Sequence, residues 1–217
     1  MSTDFRRTKA HQRYTVDGQA VPGVTTILSV VAKPALIAWA WREGSEGRDY
    51  KETSRIAADI GTLAHSIIAD NLRGTSTTDT STFTPEQAAF AAFAVEKFED
   101  WRKGKTLRAE LIEMPLVSSK YGYGGTIDFY GKVGRSMELL DFKTGSGIYP
   151  EMLAQVAAYR QLLLEAGYKV KRARILRIGR NPIEGWEERT VDDFTPYWRY
   201  FTAALEMYRA QQAIGGK

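Results

Sequence analysis

An acid and a base share one face of a short apolar segment near residue 140. In residues 137–144, Asp141 and Lys143 alternate with apolar side chains, and residues two apart on a strand point the same way. The segment runs directly into a threonine and a glycine, and residues that act on ligands are common where a strand passes into a loop. A carboxylate and an ammonium group at this place predict a site that handles a charged ligand.

A second tripeptide of the same type, Asp49-Tyr50-Lys51, shows that the pattern alone carries little weight. It lies in a polar stretch flanked by glycines, residues 43–52, and this setting predicts a solvated loop without chemistry. The surroundings of each tripeptide therefore have to separate them, and they favour the one that contains Asp141 and Lys143.

Two strands predicted upstream supply further carboxylates. Asp128 follows Gly124 and Gly125, and glycines leave room for a backbone or a phosphate to approach closely. Glu113 alternates with apolar neighbours and so faces away from the apolar side of its strand, although Glu110 on the same strand could take its place. Three carboxylates and a lysine that converge from adjacent strands predict an oxygen-rich site for Mg²⁺ or Mn²⁺, in which the lysine stabilises charge on a phosphate.

Composition and charge narrow the possible classes of protein. The chain has 217 residues, of which 43% are hydrophobic, so it can bury a sizeable core and is not a disordered chain. It has no cysteine, which excludes disulfide scaffolds, zinc ribbons, iron–sulfur clusters and thiol catalysis. The net charge of +4 permits a polyanionic partner without demonstrating one. Because no run of about 18 apolar residues occurs, we expect no membrane span and a cytoplasmic location.

Hydrophobic periodicity and helix signals predict the elements that position these residues. Residues 24–31 could be strand or helix, and residues 74–83, rich in Thr and Ser, are expected to form a mobile surface loop. The predicted helices span residues 35–42, 55–73, 84–104, 150–166 and a C-terminal segment that begins at residue 195. The predicted strands span residues 14–18, 107–117, 123–130, 136–143, 172–178 and 186–191.

This order of elements predicts an α/β fold of the α+β type, with a mixed sheet and helices on both faces. Residues 1–13 are expected to form a basic tail, which contains Arg6, Arg7, Lys9 and Arg13. Residues 14–217 are expected to form a single domain, with a mainly helical part at 14–106, a sheet core at 107–191 and a C-terminal helix at 192–217.

Several segments of the chain resemble the PD-(D/E)XK nucleases of the RecB type. The strongest likeness is in Gly125-x-x-Asp128, the run Leu139-Leu140-Asp141-Phe142-Lys143-Thr144, and Gln155-x-x-x-Tyr159. Upstream, Gly61-x-x-x-His65 is similar to the metal-binding histidine motif of that group, and residues 24–28 and 36–40 are similar to the openings of phage-type exonucleases. The lack of a four-cysteine cluster favours the compact branch of phage and mitochondrial-maintenance exonucleases.

The resemblance implies a restriction-endonuclease-like core and a set of metal ligands: His65, Asp128, Asp141 and the carbonyl of Phe142. Glu113 would lie just outside these ligands or activate a water molecule. Lys143 would hold the attacking water or the scissile phosphate, and Gln155 and Tyr159, four apart on one helix face, would position the DNA strand. Because imidazole joins the carboxylates, Mn²⁺ is expected to activate better than Mg²⁺.

The function implied by the resemblance is a metal-dependent deoxyribonuclease, and specifically an exonuclease of phage-type recombination, repair or DNA processing. DNA would be its substrate, a single-strand annealing protein its partner, and the host cytoplasm its location if a phage encodes it. One alternative is a catalytically idle module that binds DNA or a partner protein, which has no use for buried like charges. The other alternative is a structure-specific endonuclease, which no motif separates from an exonuclease.

Other interpretations of these residues stay open at this point. Arg172, Arg174 and Arg177 on one basic strand could follow a phosphate backbone, or could block unwanted pairing at a sheet edge. A lone histidine on an amphipathic helix, such as His65, is usually a packed or surface residue. The polar pair on the helix at 150–166 is explained equally well as a partly exposed face.

Overall fold

The computed structural model describes residues 13–179 and 183–215, so residues 1–12 of the predicted basic tail at 1–13 lie outside the described residues. In chain order the elements are β1 (Tyr14–Val16), β2 (Gln19–Val21), α1 (Val24–Leu28), α2 (Pro34–Ser45), α3 (Tyr50–Arg73), α4 (Pro85–Arg102), β3 (Leu107–Ser118), β4 (Tyr123–Val133), β5 (Ser136–Thr144), α5 (Pro150–Glu165), β6 (Arg172–Ile178), β7 (Trp186–Val191) and α6 (Thr195–Gly215). Among the described helices we find none that is long and apolar enough to cross a membrane.

A five-stranded sheet in the order β3-β4-β5-β6-β7 forms the centre of the molecule. All neighbouring strands are antiparallel except β5 and β6, which are parallel and are joined through α5. A parallel pair needs such a crossover, because its two strands start at the same end of the sheet. The predicted mixed α/β architecture is therefore confirmed, and the predicted strands at 172–178 and 186–191 have the observed bounds.

Two apolar layers cover the two faces of this sheet. Helices α1, α5 and α6 pack on one face, in a cluster that includes Ile27, Leu162 and Phe201. Helices α3 and α4 pack on the other face, in a cluster that includes Leu63 and Phe98. Because both faces are covered, the catalytic candidates of the sheet can reach solvent only at the strand ends or between the strands.

Local signals explain where most helices begin and end. Helix α4 begins with a capping box, in which Thr84 accepts from the Gln87 backbone and the Gln87 side chain accepts from the Thr84 backbone. Residues 24–28, left open between strand and helix, form α1. The prediction of a solvated loop over residues 43–52 is wrong at both ends, because residues 43–45 belong to α2 and residues 50–52 to α3. The Asp49 side chain accepts a hydrogen bond of 2.8 Å from the Lys51 backbone and caps α3.

The loop after α3 is attached to the helix, contrary to the expected mobile segment. The carboxylate of Asp70 accepts five hydrogen bonds of 2.7 to 2.8 Å from Thr75, Thr77 and Thr78. The hydroxyls of Thr78, Thr75 and Thr77 lower the pKa of Asp70 well below its ordinary value, because they stabilise the ionised form. The threonine-rich composition that predicted mobility therefore supplies the hydrogen-bond donors that fix this loop.

We expect Asp70→Asn to lower the melting temperature by several degrees, because the amide nitrogen of Asn cannot accept the three hydrogen bonds now made to Oδ2. Since the pKa of folded Asp70 is depressed, its contribution is present above the unfolded pKa of about 3.8 and is lost as the pH falls below it. Thermal melts from pH 3 to pH 7 measure this, and the difference between the proteins should shrink below about pH 4.

Asp79→Asn is the matched control in the same loop. Oδ1 of Asp79 accepts from the backbone N–H and the hydroxyl of Ser81, and Asn keeps an oxygen that can accept both bonds. Its melting temperature should stay close to that of the wild type, and an equal loss in both variants would contradict the role given to Asp70.

Candidate active site

The candidate site lies where strands β4 and β5 separate. Their ladder runs from the pair Val133–Ser136 to the pair Phe129–Leu140 and ends there, while β3 and β6 stay paired with their partners beyond that point. Asp128 and Asp141 are the first residues after the last β4–β5 pair. The backbone N–H of Phe142, which has lost its partner strand, donates a hydrogen bond of 2.8 Å to Oδ2 of Asp128. The Asp128 side chain thus takes the place of the β4 backbone as the hydrogen-bond partner of β5, and the bond fixes the orientation of the carboxylate.

Strand β3 is distorted at Glu113, where this residue faces Asp128 of β4. In the β3–β4 register the two residues stand between the pairs Ile112–Phe129 and Met114–Ile127. Glu113 has a φ of +51°, which is a left-handed conformation that residues other than glycine seldom adopt. Such backbone strain is found most often at functional sites, where the surrounding fold maintains it.

Helix α3 brings His65 to this pair of carboxylates because it approaches the end of β5 very closely. A Cβ atom on Gly61 would lie 2.7 Å from Oγ1 of Thr144, so any other residue here would force the Thr144 side chain to move. One helical turn later, the ring of His65 meets the ring of Phe142 edge-on, with 5.9 Å between the centroids. The Gly61-x-x-x-His65 spacing thus combines a packing requirement with the placement of an imidazole.

His65, Glu113 and Asp128 form a cluster with the geometry of an incomplete metal site. Nδ1 of His65 lies 3.6 Å from Oδ2 of Asp128 and 4.0 Å from Oε1 of Glu113. One ligand atom from each residue lies within 4.8 Å of the other two, and all three side chains are partly exposed. An imidazole with two carboxylates suits a divalent ion such as Mn²⁺ or Mg²⁺. In this cluster Glu113 is the second carboxylate next to His65 and Asp128. The resemblance had implied Asp141 as that ligand and had placed Glu113 outside the ligands.

Asp141 lies beside the cluster with both carboxylate oxygens buried and no hydrogen bond of good geometry to either within the described chain. The residue is only 1% exposed, and Nζ of Lys143 lies 2.6 Å from its Oδ2. Burial raises the pKa of Asp141 to about 6, with Lys143 opposing the rise and Asp128 adding to it. Buried polar atoms without donors are rare in proteins, and Oδ1 of Asp141, which has none among the described residues, fits a site that a cation completes.

Gln155 and Tyr159 form a buried pair on α5 and do not line an exposed helix face. Nε2 of Gln155 donates a hydrogen bond of 2.7 Å to Oη of Tyr159. The Tyr159 ring occupies the space over Gly125, where a Cβ atom would lie 2.5 Å from Cε1. Burial, together with Asp141 and Asp128, raises the pKa of Tyr159 well above its ordinary value. The space that Gly125 was expected to leave for a phosphate is therefore filled by a neutral phenol.

The three arginines of β6 are engaged by partners within the protein. Arg172 pairs with Asp192 at 2.7 Å, and Arg174 pairs with the buried Glu138. The buried Arg177 donates to two backbone carbonyls at 2.9 and 3.0 Å. These partners occupy the donors of the three guanidinium groups, which leaves a phosphate backbone little to bind there. Their DNA-binding role stays a prediction without support from this geometry.

Sequence reasoning missed Tyr14, whose side chain lies next to the candidate site. Its Oη is 2.9 Å from Oγ1 of Thr126, two residues before Asp128. No motif marks Tyr14, because it precedes Thr126 and Asp128 by more than a hundred positions in the chain. The only sequence signal was indirect: paired glycines such as Gly124 and Gly125 require something bulky to fill the space above them.

If the cluster binds a divalent ion, the ion should stabilise the folded protein by mass action. Wild type should gain about 5 to 10 °C in melting temperature when Mn²⁺ is present at about 100 times its dissociation constant. Asp128→Asn should lose most of this gain, since it keeps an acceptor for the Phe142 N–H but removes the charge. Thermal melts with and without Mn²⁺ measure the difference, with Asp192→Asn, a remote exposed carboxylate, as the control. An unchanged response in Asp128→Asn would place the metal elsewhere.

No family model and no curated protein matches the chain. Among solved structures, the alkaline exonuclease LHK-Exo from Laribacter hongkongensis is similar over 75% of this chain and 87% of its own, with 12% identity and a TM-score of 0.40. Its complex with dAMP is similar over 71% and 80%, with 12% identity and a TM-score of 0.41. A phage-related exonuclease from Haemophilus somnus 129PT is similar over 91% of this chain and 96% of its own, with 11% identity and a TM-score of 0.41. These structural neighbours are exonucleases of low sequence identity, and the roles of this chain's residues rest on its own geometry.

Proposed function

We propose that the protein is a divalent-metal-dependent deoxyribonuclease that degrades DNA from a strand end. The observation that carries the proposal is Asp141, a buried carboxylate that pairs with Lys143 through Oδ2, has no donor at Oδ1 among the described residues, and lies beside a partly exposed ligand cluster. A module that only binds DNA would gain nothing from burying a carboxylate next to two others, because burial and like charges oppose its ionisation. This argues against the idle-module alternative.

The ion would be held by His65, Glu113 and Asp128, with Asp141 as the adjoining carboxylate. Mg²⁺ or Mn²⁺ would supply Lewis-acid polarisation of a phosphate oxygen and would make a water molecule easier to deprotonate. His65 adds a nitrogen ligand to an otherwise oxygen-rich set, which favours Mn²⁺ as the better activator. The N–H of Phe142 fixes Oδ2 of Asp128, so that carboxylate needs little reorganisation to accept a cation.

Lys143 supplies the positive charge that phosphodiester hydrolysis needs from the protein. Its Nζ is 2.6 Å from Asp141, and its side chain is 20% exposed, so it reaches solvent while it remains anchored. An ammonium group held in this way stabilises the negative charge that develops on a phosphate during in-line attack. On the other side of β5, Leu140 and Phe142 pack into the apolar layer of α3 and α4.

Tyr159 and Gln155 complete the wall of the site on the side of α5. Because the pKa of Tyr159 is raised, its phenol keeps its proton and acts as a neutral hydrogen-bonding group. Gln155 orients that phenol through the 2.7 Å hydrogen bond to its oxygen. In the proposed reaction this pair positions Asp141 and the bound DNA strand, and it does not transfer a proton.

DNA as the substrate and exonuclease as the mode of action are supported by the motif resemblance, in which spacing and residue types agree at Gly61-x-x-x-His65, Gly125-x-x-Asp128 and Asp141-x-Lys143. The resemblance also implies a role in phage-type recombination or DNA processing, with a single-strand annealing protein as partner. A structure-specific endonuclease would use the same residues on the same bond. The two differ in whether a free strand end is required.

The direct experiment incubates the protein with Mn²⁺ and with end-labelled linear single strands, linear duplexes and closed circles, and follows product length over time. We expect linear DNA to shorten progressively while closed circles stay intact. Asp128→Asn, purified in the same way, should be inactive and reports any contaminating nuclease. Cut circles would contradict the exonuclease mode and favour the endonuclease, and no cleavage of any DNA would contradict the proposal as a whole.

Substitution of Lys143 tests the assignment of charge stabilisation. Lys143→Ala should lower the cleavage rate about 100-fold or more at saturating Mn²⁺ while the Mn²⁺-induced rise in melting temperature persists, since a protonated lysine is not a ligand. Lys143→Arg should restore little activity, because a planar guanidinium cannot take the position of a compact ammonium group next to Asp141. Single-turnover rates and thermal melts on the same preparations give both quantities.

Lys51→Ala is the matched control, because Lys51 belongs to the other acid-x-lysine tripeptide. It lies in the first turn of α3, where its backbone N–H is bound by Asp49 and its side chain is exposed. Its cleavage rate should stay within about twofold of the wild type. A comparable loss in Lys51→Ala, or wild-type cleavage in Lys143→Ala, would remove the proposed role of β5.

A further inference from the structure

The N-terminal hairpin fills the edge of β4 that β5 leaves open. The hairpin joins β1 to β2 through Asp17 and Gly18, both with positive φ, as in a tight two-residue turn. Directly after it, the carbonyl of Pro22 accepts a hydrogen bond of 3.0 Å from the N–H of Gly124, and Gly23 forms a parallel bridge to Gly124. Because β3 occupies one edge of β4 over these residues, the hairpin segment must occupy the other, which faces β5.

Tyr14 packs against β4 more closely than any residue but glycine would allow. A Cβ atom on Gly124 would lie 2.2 Å from Cγ of Tyr14, and one on Gly23 would lie 3.1 Å from its Cε2. The ring is therefore in direct contact with the β4 backbone. Since Gly124 and Gly125 face opposite sides of the strand, Tyr14 and Tyr159 hold β4 between them.

The hydroxyl of Tyr14 connects this contact to the site. It is 2.9 Å from Oγ1 of Thr126, which precedes Asp128 by two residues on the same strand. Without the hairpin, the free edges of β4 and β5 could pair beyond Phe129, and the N–H of Phe142 would then have a backbone partner in place of the Asp128 carboxylate. The separation of the strands, and with it the orientation of Asp128, needs an occupant at this edge.

We propose that Tyr14 is a positioning residue, which holds β4 apart from β5 through Gly124 and Thr126 and thereby orients Asp128 toward the cation. The proposal rests on the proposed function, because it assigns Asp128 to the metal. It adds a residue outside the resembling motifs, and it makes the N-terminal hairpin part of the site's framework and not an appendage of the fold.

The test measures the affinity for Mn²⁺ from the rise in melting temperature as the ion is titrated, together with kcat and KM for DNA cleavage. Tyr14→Ala should raise the apparent dissociation constant of Mn²⁺ about tenfold, and Tyr14→Phe, which keeps the ring but loses the bond to Thr126, about threefold. KM for DNA should stay unchanged, and a high Mn²⁺ concentration should restore most of kcat. Tyr50→Ala, an exposed tyrosine at the start of α3, is the control with no expected change.

A double substitution separates positioning from general destabilisation. Gly124→Ala should displace the Tyr14 ring and weaken Mn²⁺ binding about as much as Tyr14→Ala, whereas the two changes together should weaken it little further than either alone. Additive losses would contradict the proposal. So would a Tyr14→Ala protein that melts at a lower temperature but binds Mn²⁺ as the wild type does.

Two milder variants keep the test decisive if Tyr14→Ala does not fold. Tyr14→Phe and Thr126→Val each remove one side of the same hydrogen bond, and both should weaken Mn²⁺ binding to a similar extent. Wild-type affinity in both would overturn the inference. If the wild type itself shows neither stabilisation by Mn²⁺ nor cleavage, the proposed function fails; if it shows both and the Tyr14 variants match it, only this inference fails.

Discussion

The separation of β4 from β5 is the constraint on which the candidate site depends. Continued pairing of the two strands would satisfy their backbone groups and leave no room for ligands between them. The ladder stops at Phe129 and Leu140, and the Asp128 carboxylate takes the next N–H group. The hydrogen bond from the Phe142 N–H to Asp128 therefore satisfies the free edge of β5 and orients a candidate ligand. The gap between the two strands leaves space in which Asp141 faces the cluster. Glu113, whose backbone is strained, faces Asp128 from β3, on the other edge of β4.

Close approaches at glycine let three separate elements converge on this opening. Gly61 admits Thr144 at the end of β5, Gly124 admits Tyr14 and Gly125 admits Tyr159. A single methyl group at any of these positions would meet another atom at 2.7 Å or less, and packed interiors relax only partly around such an overlap. The glycines thus serve the convergence of the helix, the hairpin and the sheet, and only indirectly the binding of a substrate.

The buried carboxylate of the site differs from other buried carboxylates of the structure in how many hydrogen-bond donors surround it. Glu43 is bound by an arginine, Asp70 by threonine hydroxyls and backbone N–H groups, and Glu138 by arginines. Asp141 is buried to the same degree, yet it has one lysine ion pair and two oxygens without hydrogen bonds. Among the buried carboxylates of the described residues, Glu43, Asp70 and Glu138 each have several donors, whereas Asp141 has only Lys143 and lies next to an imidazole and two further carboxylates. That contrast is the physical basis for proposing a metal-dependent reaction.

The sequence by itself determined the elements and the residue types of the site, because strand alternation, helix caps and short motifs depend on neighbours in the chain. It predicted the strands around Asp128 and Asp141 and the capping box of α4, but it read Asp49 as part of a loop and residues 74–83 as mobile. Only the tertiary structure decided that Glu113 joins His65 and Asp128, that β6 arginines are engaged by carboxylates and carbonyls, and that Tyr14 borders the site. These outcomes depend on where one strand leaves another and on which distant side chains fill the gap, and neither is encoded by spacing along the chain.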